Sequence, residues 1–178
     1  ISIPVGKDSL SMRTRWTAPD GQTKQVTSPV SLVVSAFASL ESVAGTWTPQ
    51  LVSGSELVLI DLGAGANRLG GSMLAQVTNQ FGNETPDLDD PARLVKLAAA
   101  LAELREKRLV TAYHDRSDGG LWATVCEMAF AGGVGLDVSV ADVPALFSEE
   151  LGAVLGTDDA ASVLAVLADN GLAELSSV

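Results

Sequence analysis

The pattern of apolar and polar positions divides this chain near residue 46, giving a short segment of residues 1–46 and a longer one of residues 47–178. Residues 1–26 are polar and contain glycine, and the run Ala18-Pro19-Asp20-Gly21 predicts a tight reversal, so a loop followed by a hairpin is expected. Residues 31–40 (SLVVSAFASL) are β-rich and mostly apolar, which predicts a strand buried on at least one face. Periodicity alone leaves a short helix open there. Pro49 lacks a donor and restrains its neighbour, so residues 47–50 read as a linker, and a fresh strand is expected over residues 56–62 (ELVLIDL).

Beyond the linker, strand and helix patterns alternate. Residues 67–77 hold Gly70-Gly71 and a short helix, and residues 91–107 (PARLVKLAAALAELREK) carry the strongest helix signal. Asp89 and Asp90 can cap that helix, Pro91 suits its first turn, and Arg105, Lys107 and Arg108 sit at the negative end of its dipole. Leu94, Leu97, Leu101 and Leu104 recur at spacings of three and four, which predicts one buried stripe. A strand over 109–113, a helix over 121–131, strands near 135–140 and 152–157, and a helix from Asp158 or Asp159 to Asn170 complete the pattern. Asn170-Gly171 suits a left-handed stop. The class expected is α/β, in the form of an α+β mixed sheet with flanking helices.

Composition narrows the functional classes. Of 178 residues, 47% are hydrophobic and 19% charged, which excludes disorder for most of the chain. Eleven Lys and Arg against 22 Asp and Glu leave a net charge of -11, so binding of a nucleic-acid backbone by bulk positive charge is not expected. The single cysteine, Cys126, can form neither an internal disulfide nor a cysteine-cluster metal site, which fits a reducing, cytoplasmic setting. No apolar run approaches the ~20 residues that span a bilayer. The chain opens at Ile1 without a methionine and stops at Val178 with no helix stop or charged tail, so a fragment is expected.

Chemistry concentrates in a few loops. His114-Asp115-Arg116-Ser117-Asp118-Gly119-Gly120 lies between an expected strand and an expected helix. There, Asp115 could hold Mg²⁺ while Ser117 and backbone amides approach a phosphate, with the glycines permitting close approach. Equally, Ser117 or Asp118 could simply cap the next helix. His114 is expected to be a structural histidine hydrogen-bonded beneath the loop, because neighbours in a strand point to opposite faces and His114 need not act with Asp115. Gly6-Lys7-Asp8-Ser9 combines an ammonium, a carboxylate and a hydroxyl in a Gly-led loop suited to gripping phosphate, although it lacks the upstream glycine of a P-loop. On spacing alone a plain surface loop is favoured. Gly63-Ala64-Gly65 follows a strand, but Arg68 occupies the third glycine position of a dinucleotide fingerprint; Asn67, Arg68, Gly70 and Gly71 could still contact phosphate, but a turn with a packed helix start is favoured. Glu149 and Glu150 read as solvating a turn before an apolar strand.

Taken together, IPVGKDSLSMRTRW at 3–16, TSPVSLVVSAFA at 27–38, TPQL at 48–51, AYHDRSDGGL at 112–121, EMAFAG at 127–132 and LFSEELGAVL at 146–155 resemble the large, single-chain phosphoribosylformylglycinamidine synthases in order and spacing. The resemblance implies a fragment of an ATP- and glutamine-dependent ligase of purine biosynthesis, which forms formylglycinamidine ribonucleotide from formylglycinamide ribonucleotide. It implies an aminoimidazole ribonucleotide synthetase-like fold, with residues 1–46 ending the second ATP-binding-type subdomain and 47–178 forming most of the following C-terminal-type subdomain. It carries a Mg²⁺ ligand to Asp115, nucleotide contact to Ser117, and contact with substrate or ATP phosphate to Gly6, Lys7, Asp8 and Ser9. Mg²⁺ and ATP or ADP are the implied cofactors, with the nucleotide at Asp115 auxiliary. The phosphoribosyl substrate and the remaining synthetase and glutaminase domains of the same chain are the implied partners. No catalytic residue is assigned within these residues, and alone they are not expected to turn over substrate. The competing readings are a free-standing, non-catalytic nucleotide-binding or protein-interaction module of the same fold, and relatives such as selenophosphate synthetase or thiamine-monophosphate kinase. The latter lack the combined GKDSLSM and HDRSDGGL wording.

Overall fold

A computed structural model describes residues 2–7, 12–28, 32–82 and 84–178. The chain forms two compact units, Ile1–Val43 and Ala44–Val178.

In the first unit, β1 (Arg13–Thr17) and β2 (Thr23–Thr27) form the expected antiparallel hairpin, registered from Arg13 opposite Thr27 to Thr17 opposite Thr23. The reversal closes through Gly21 N–H donating to the Ala18 carbonyl at 2.9 Å, with Gly21 in the left-handed region and Asp20 accepting from the Gln22 amide. The strand expected over 31–40 is not formed: residues 32–40 carry no regular structure, and Leu32, Val33, Val34 and Phe37 are exposed. Apolar, β-branched composition makes a segment able to enter a sheet, but a strand also needs a partner ladder. Among the described residues none pairs with it.

The second unit is built on a four-stranded antiparallel sheet. In chain order its elements are β3 (Glu56–Asp61), α1 (Met73–Val77), α2 (Pro91–Lys107), β4 (Ala112–Arg116), α3 (Gly120–Gly132), α4 (Val143–Phe147), β5 (Gly152–Thr157), α5 (Ala160–Asp169), a 3₁₀ turn (Ala173–Leu175) and β6 (Ser176–Ser177). The strand order is β4-β5-β3-β6. Alternation along the strands sends Val58, Ile60 and Leu155 to one face, where they meet Leu97, Ala100 and Leu104 of α2 and Val163, Val166 and Leu167 of α5. Leu57, Leu59, Ala112 and Val154 line the other face with Leu121, Val125 and Met128 of α3.

Local chemistry explains the helix ends. Asp90, rather than Asp89, caps α2 by accepting from the Ala92 amide at 2.9 Å, Pro91 opens its first turn, and Arg108 closes it in the left-handed region. Asp159 caps α5 through the Ser162 amide, and Gly171 follows with positive φ. Three expectations need correction. Leu94 is 48% exposed, so the α2 stripe begins at Leu97. The strand after α2 starts at Ala112, not 109, because its ladder with β5 opens at Ala112 opposite Gly156, and it runs on through His114, Asp115 and Arg116. Residues 135–140 form no strand: the alternating Leu136, Val138 and Val140 stay partly exposed, and they enter no ladder among the described residues.

Candidate functional site

Strands β3 and β4 both run antiparallel to β5, so the loops leaving β3 and β4 and the loop entering β5 emerge at one edge of the sheet. Asp61, Gly152 and Arg116 stand side by side in the last row at that edge. A Cβ on Gly152 would lie 2.2 Å from the Ile60 carbonyl oxygen and 3.5 Å from an Arg116 terminal nitrogen, so the middle strand must be bare here. The Arg116 side chain, 1% exposed, can then reach Asp61 on the far strand and pair with it. Its Nε also donates to the Glu150 carbonyl at 2.6 Å. Asp61 in turn accepts from the amides of Gly63 at 3.0 Å and Gly65 at 2.7 Å, which fixes the loop after β3.

A second buried pair sits beside the first. Arg68 grips Glu150 with two nitrogens, Nε to Oε1 at 2.6 Å and a terminal nitrogen to Oε2 at 2.8 Å, and Glu150 is fully buried. The Arg68 amide donates to the same carboxylate at 3.2 Å. Asp89 and the Asp87 carbonyl take two more of the Arg68 donors. Hydrogen bonding to Glu150, then to Asp89, holds the Arg68 guanidinium pKa above its usual value, so this cation is locked charged.

Glu149 occupies a third position. One of its oxygens, Oε1, accepts from the Met73 amide at the start of α1 and from the Gly119 amide at the start of α3, each at 2.8 Å. The segment Ser148-Glu149-Glu150 therefore ties together the loops after β3 and β4. The reading of both glutamates as solvating a turn is corrected, because each meets donors that the fold brings from distant parts of the chain.

The expected site residues divide between the units. Asp115 and Ser117 lie at this loop edge. Asp115 closes into the loop with a side chain 70% exposed, and Ser117 is exposed. Neither Ser117 nor Asp118 caps α3: Gly119 holds the N-cap position without a side-chain bond, and the Gly119 amide goes to Glu149. Gly120 combines positive φ with backbone 2.6 Å from where a Cβ would stand, so no other residue fits without displacing Phe147 and Ser148. His114 ties β4 to α3: Nε2 lies 2.7 Å from Glu127 Oε2 and Nδ1 2.7 Å from the Asp115 carbonyl. Both ring nitrogens are engaged by the fold, in keeping with the expected structural reading, but Nδ1 also lies 4.0 Å from Asp115 Oδ1, so strand alternation does not keep the two side chains apart. Gly6 and Lys7 belong to the first unit and are exposed, while Asp8 and Ser9 lie outside the described residues. Gly63-Ala64-Gly65 forms a turn organised by Asp61, not a dinucleotide loop.

Asp61, Arg116, Glu149 and Glu150 are not singled out as site residues by the sequence, and Arg68 is read there only as a weaker phosphate candidate, not as the partner of Glu150. The available signal was a charged residue at the end of an apolar strand, as in ELVLID and AYHDR, and a pair of glutamates directly against LGAVL. On the α3 face a cavity of about 650 Å³ opens beside this edge, lined in part by Leu59, Asp61, Asn67, Arg116, Val125 and Val138.

An antiparallel sheet with helices on both faces, not the mixed sheet expected, and three loops pinned at one edge define the class: the chain belongs to the family described as AIR synthase related protein, C-terminal domain, which its residues 52–175 match. Residues 1–39 match a second family, the FGAR-AT PurM_N-like domain. Among curated proteins, the phosphoribosylformylglycinamidine synthase of Schizosaccharomyces pombe is 45% identical over 184 residues, covering 97% of this chain. The chain spans 14% of that relative's length. The fold is shared with Thermotoga maritima PurL complexed with ATP, at TM-score 0.53 and 19% identity, covering 74% of this chain and 22% of the other. A second structure, the same protein complexed with FGAR, aligns at TM-score 0.51 and 18% identity over 74% of this chain and 24% of the other. No helix among the described residues is long and apolar enough to cross a membrane.

Proposed function

We infer that these residues serve as part of the synthetase half of a phosphoribosylformylglycinamidine synthase, a ligase that uses ATP and glutamine-derived ammonia to convert formylglycinamide ribonucleotide to formylglycinamidine ribonucleotide. The observation that carries this reading is the 45% identity to the fission-yeast synthase over 97% of the chain. On the same reading, residues 1–46 end the second ATP-binding-type subdomain and residues 47–178 form the C-terminal-type subdomain. The remaining synthetase and glutaminase domains are supplied elsewhere in the full-length enzyme.

The auxiliary nucleotide is assigned to the turn after β4. Among the described residues no three His, Cys, Asp or Glu side chains cluster as a metal cage. Asp115 offers a single, exposed carboxylate at a strand end. That donor set fits Mg²⁺ arriving on phosphate oxygens and keeping most of its water, since Mg²⁺ is commonly held by one or two carboxylates plus substrate phosphates. When bound, the ion supplies charge neutralisation to the phosphates. Asp115 anchors it, Ser117 contacts the nucleotide, and the rigid Gly119-Gly120 turn brings backbone close. On the same reading Gly6, Lys7, Asp8 and Ser9 contact substrate or ATP phosphate. Phosphorylation of the substrate's amide oxygen develops negative charge, and the Lys7 ammonium is the group here suited to stabilise it. Cytoplasmic placement accompanies this reading.

In the full-length enzyme, Lys7→Ala is expected to lower ammonia-dependent synthesis at least tenfold while glutamine hydrolysis continues. Unchanged synthesis removes Lys7 from the mechanism, and loss of formylglycinamide ribonucleotide as a substrate for the unaltered enzyme removes the whole reading.

A further inference from the structure

Three loops meet at the sheet edge, and one carboxylate oxygen joins two of them. Glu149 Oε1 takes the Met73 amide, which follows the Gly70-Gly71-Ser72 turn, and the Gly119 amide, inside the turn that Gly120 N–H closes onto the Ser117 carbonyl. These are leading amides of α1 and α3, groups that have no partner within their own helices. Within α1, Ser72 caps only the Ala75 amide, and α3 has no side-chain cap, so at Gly119 Glu149 does the work that a cap residue would do. The residues on either side of Glu149 are fixed independently. Ser148 is buried and donates to the Arg68 carbonyl at 3.2 Å, and Glu150 is fully buried against Arg68. The Glu149 side chain is thus held from both neighbours and aimed at the two amides.

We propose that Glu149 is a positioning residue for the nucleotide turn: its carboxylate fixes the Ser117–Gly120 backbone relative to the α1 turn, so that the two loops form one preorganised wall for the phosphates. The proposal rests on the assignment of nucleotide to Asp115 and Ser117 given above. Glu149 touches no phosphate itself. Its carboxylate oxygen satisfies two amides that would otherwise point toward solvent, and it sets the turn's conformation before ligand arrives. Binding then avoids the ordering cost that a loose turn would incur.

The test uses the full-length enzyme and Mg²⁺ with ADP as the probe. Glu149→Ala and Glu149→Asp, the second keeping the charge but shortening the reach, are expected to weaken Mg·ADP binding at least tenfold. Glu149→Gln keeps an acceptor oxygen at the same reach and is expected to stay within about threefold of the unaltered enzyme. Peptides covering Met73 and Gly119 should exchange amide hydrogen faster in the Ala and Asp variants and at the native rate in the Gln variant. If Glu149→Ala fails to fold, Glu149→Asp carries the comparison. Native Mg·ADP affinity in Glu149→Asp overturns the proposal, as does a Gln variant as weak as Ala. Should the unaltered enzyme bind no ADP and Asp115→Asn change nothing, the nucleotide assignment itself fails, and the positioning role falls with it. The exchange rates then still report whether the Glu149 tie exists.

Discussion

The face of the sheet beneath α2 and α5 and the edge where its loops emerge are both buried, but by opposite means. Under α2 and α5, Val58, Ile60, Leu155, Leu104 and Leu167 are fully buried, and burial of apolar area does the work. At the loop edge the buried side chains are Arg116, Glu150 and Ser148, and each survives burial because it is paired. The apolar face is tolerant in principle, since similar volumes can replace one another. The loop edge is not, because a partner removed leaves a charge or an amide without its bond. The difference separates two roles: the apolar face holds the fold together, and the polar edge fixes the shape of the loops that emerge there.

The sharpest way to break this comparison is to remove one side chain from each region. Arg116→Ala leaves Asp61 half of a buried pair and strips a donor from the Glu150 carbonyl, at an expected cost of about 3–5 kcal/mol. Leu155→Ala on the apolar face should cost a similar ~2–5 kcal/mol through cavity formation. The regions separate on repair. The double variant Arg116→Met with Asp61→Asn leaves no unpaired charge and keeps an acceptor oxygen for one of the Gly63 and Gly65 amides, so it should recover part of the loss in urea denaturation. A double variant no more stable than Arg116→Ala would show that the pairing is not what holds the edge.

A smaller effect is expected at Gly120. Alanine there must adopt positive φ, at a cost of about 1–2 kcal/mol, and must also push aside the backbone of Phe147 and Ser148. Thermal unfolding should show the loss, and nucleotide affinity should fall with it. Gly133, also at positive φ but in open space, is the control: Gly133→Ala should show the conformational cost alone.

The smallest effect concerns pH. The Asp159 carboxyl is held below its ordinary value near 3.8, first by the Ser162 hydroxyl and then by the Ser162 amide. A depressed folded pKa stabilises the protein above the unfolded value and loses that contribution as pH falls through the folded one. Asp159→Ala should therefore be less stable than the native chain near neutrality, with the gap between their thermal midpoints closing as pH drops below about 4. A gap unchanged down to pH 2 would mean that capping charge plays no part.

Much of the fold was legible before the structure, for identifiable reasons. Helices α2 and α5 announce themselves through spacing of three and four and through Asp90 and Asp159, and β3 and β5 through short apolar runs closed by turn residues. Residues 32–40 and 135–140 misled because apolar alternation records what a segment can pair with, not whether a ladder partner reaches it. The α2 stripe was read one turn too long at Leu94, since periodicity marks a face of the helix and not how far along it the core extends. The candidate site was legible only in part. Asp115, Ser117 and the two glycines could be found because they lie within seven consecutive letters, HDRSDGG. Arg68 and Glu150 are 82 residues apart, and no local rule links them until the sheet sets their loops together. Glu149 was hidden for the same reason, since its partners are backbone amides, which leave no mark in a sequence.

The measurement that bears most directly on the account is the ADP content of the purified full-length enzyme, compared with that of its Asp115→Asn variant in the presence of Mg²⁺. The account predicts one retained ADP in the native enzyme and its loss, or at least a tenfold weaker hold, in the variant. An Asp115→Asn enzyme that keeps both Mg²⁺ and ADP at native occupancy would contradict it.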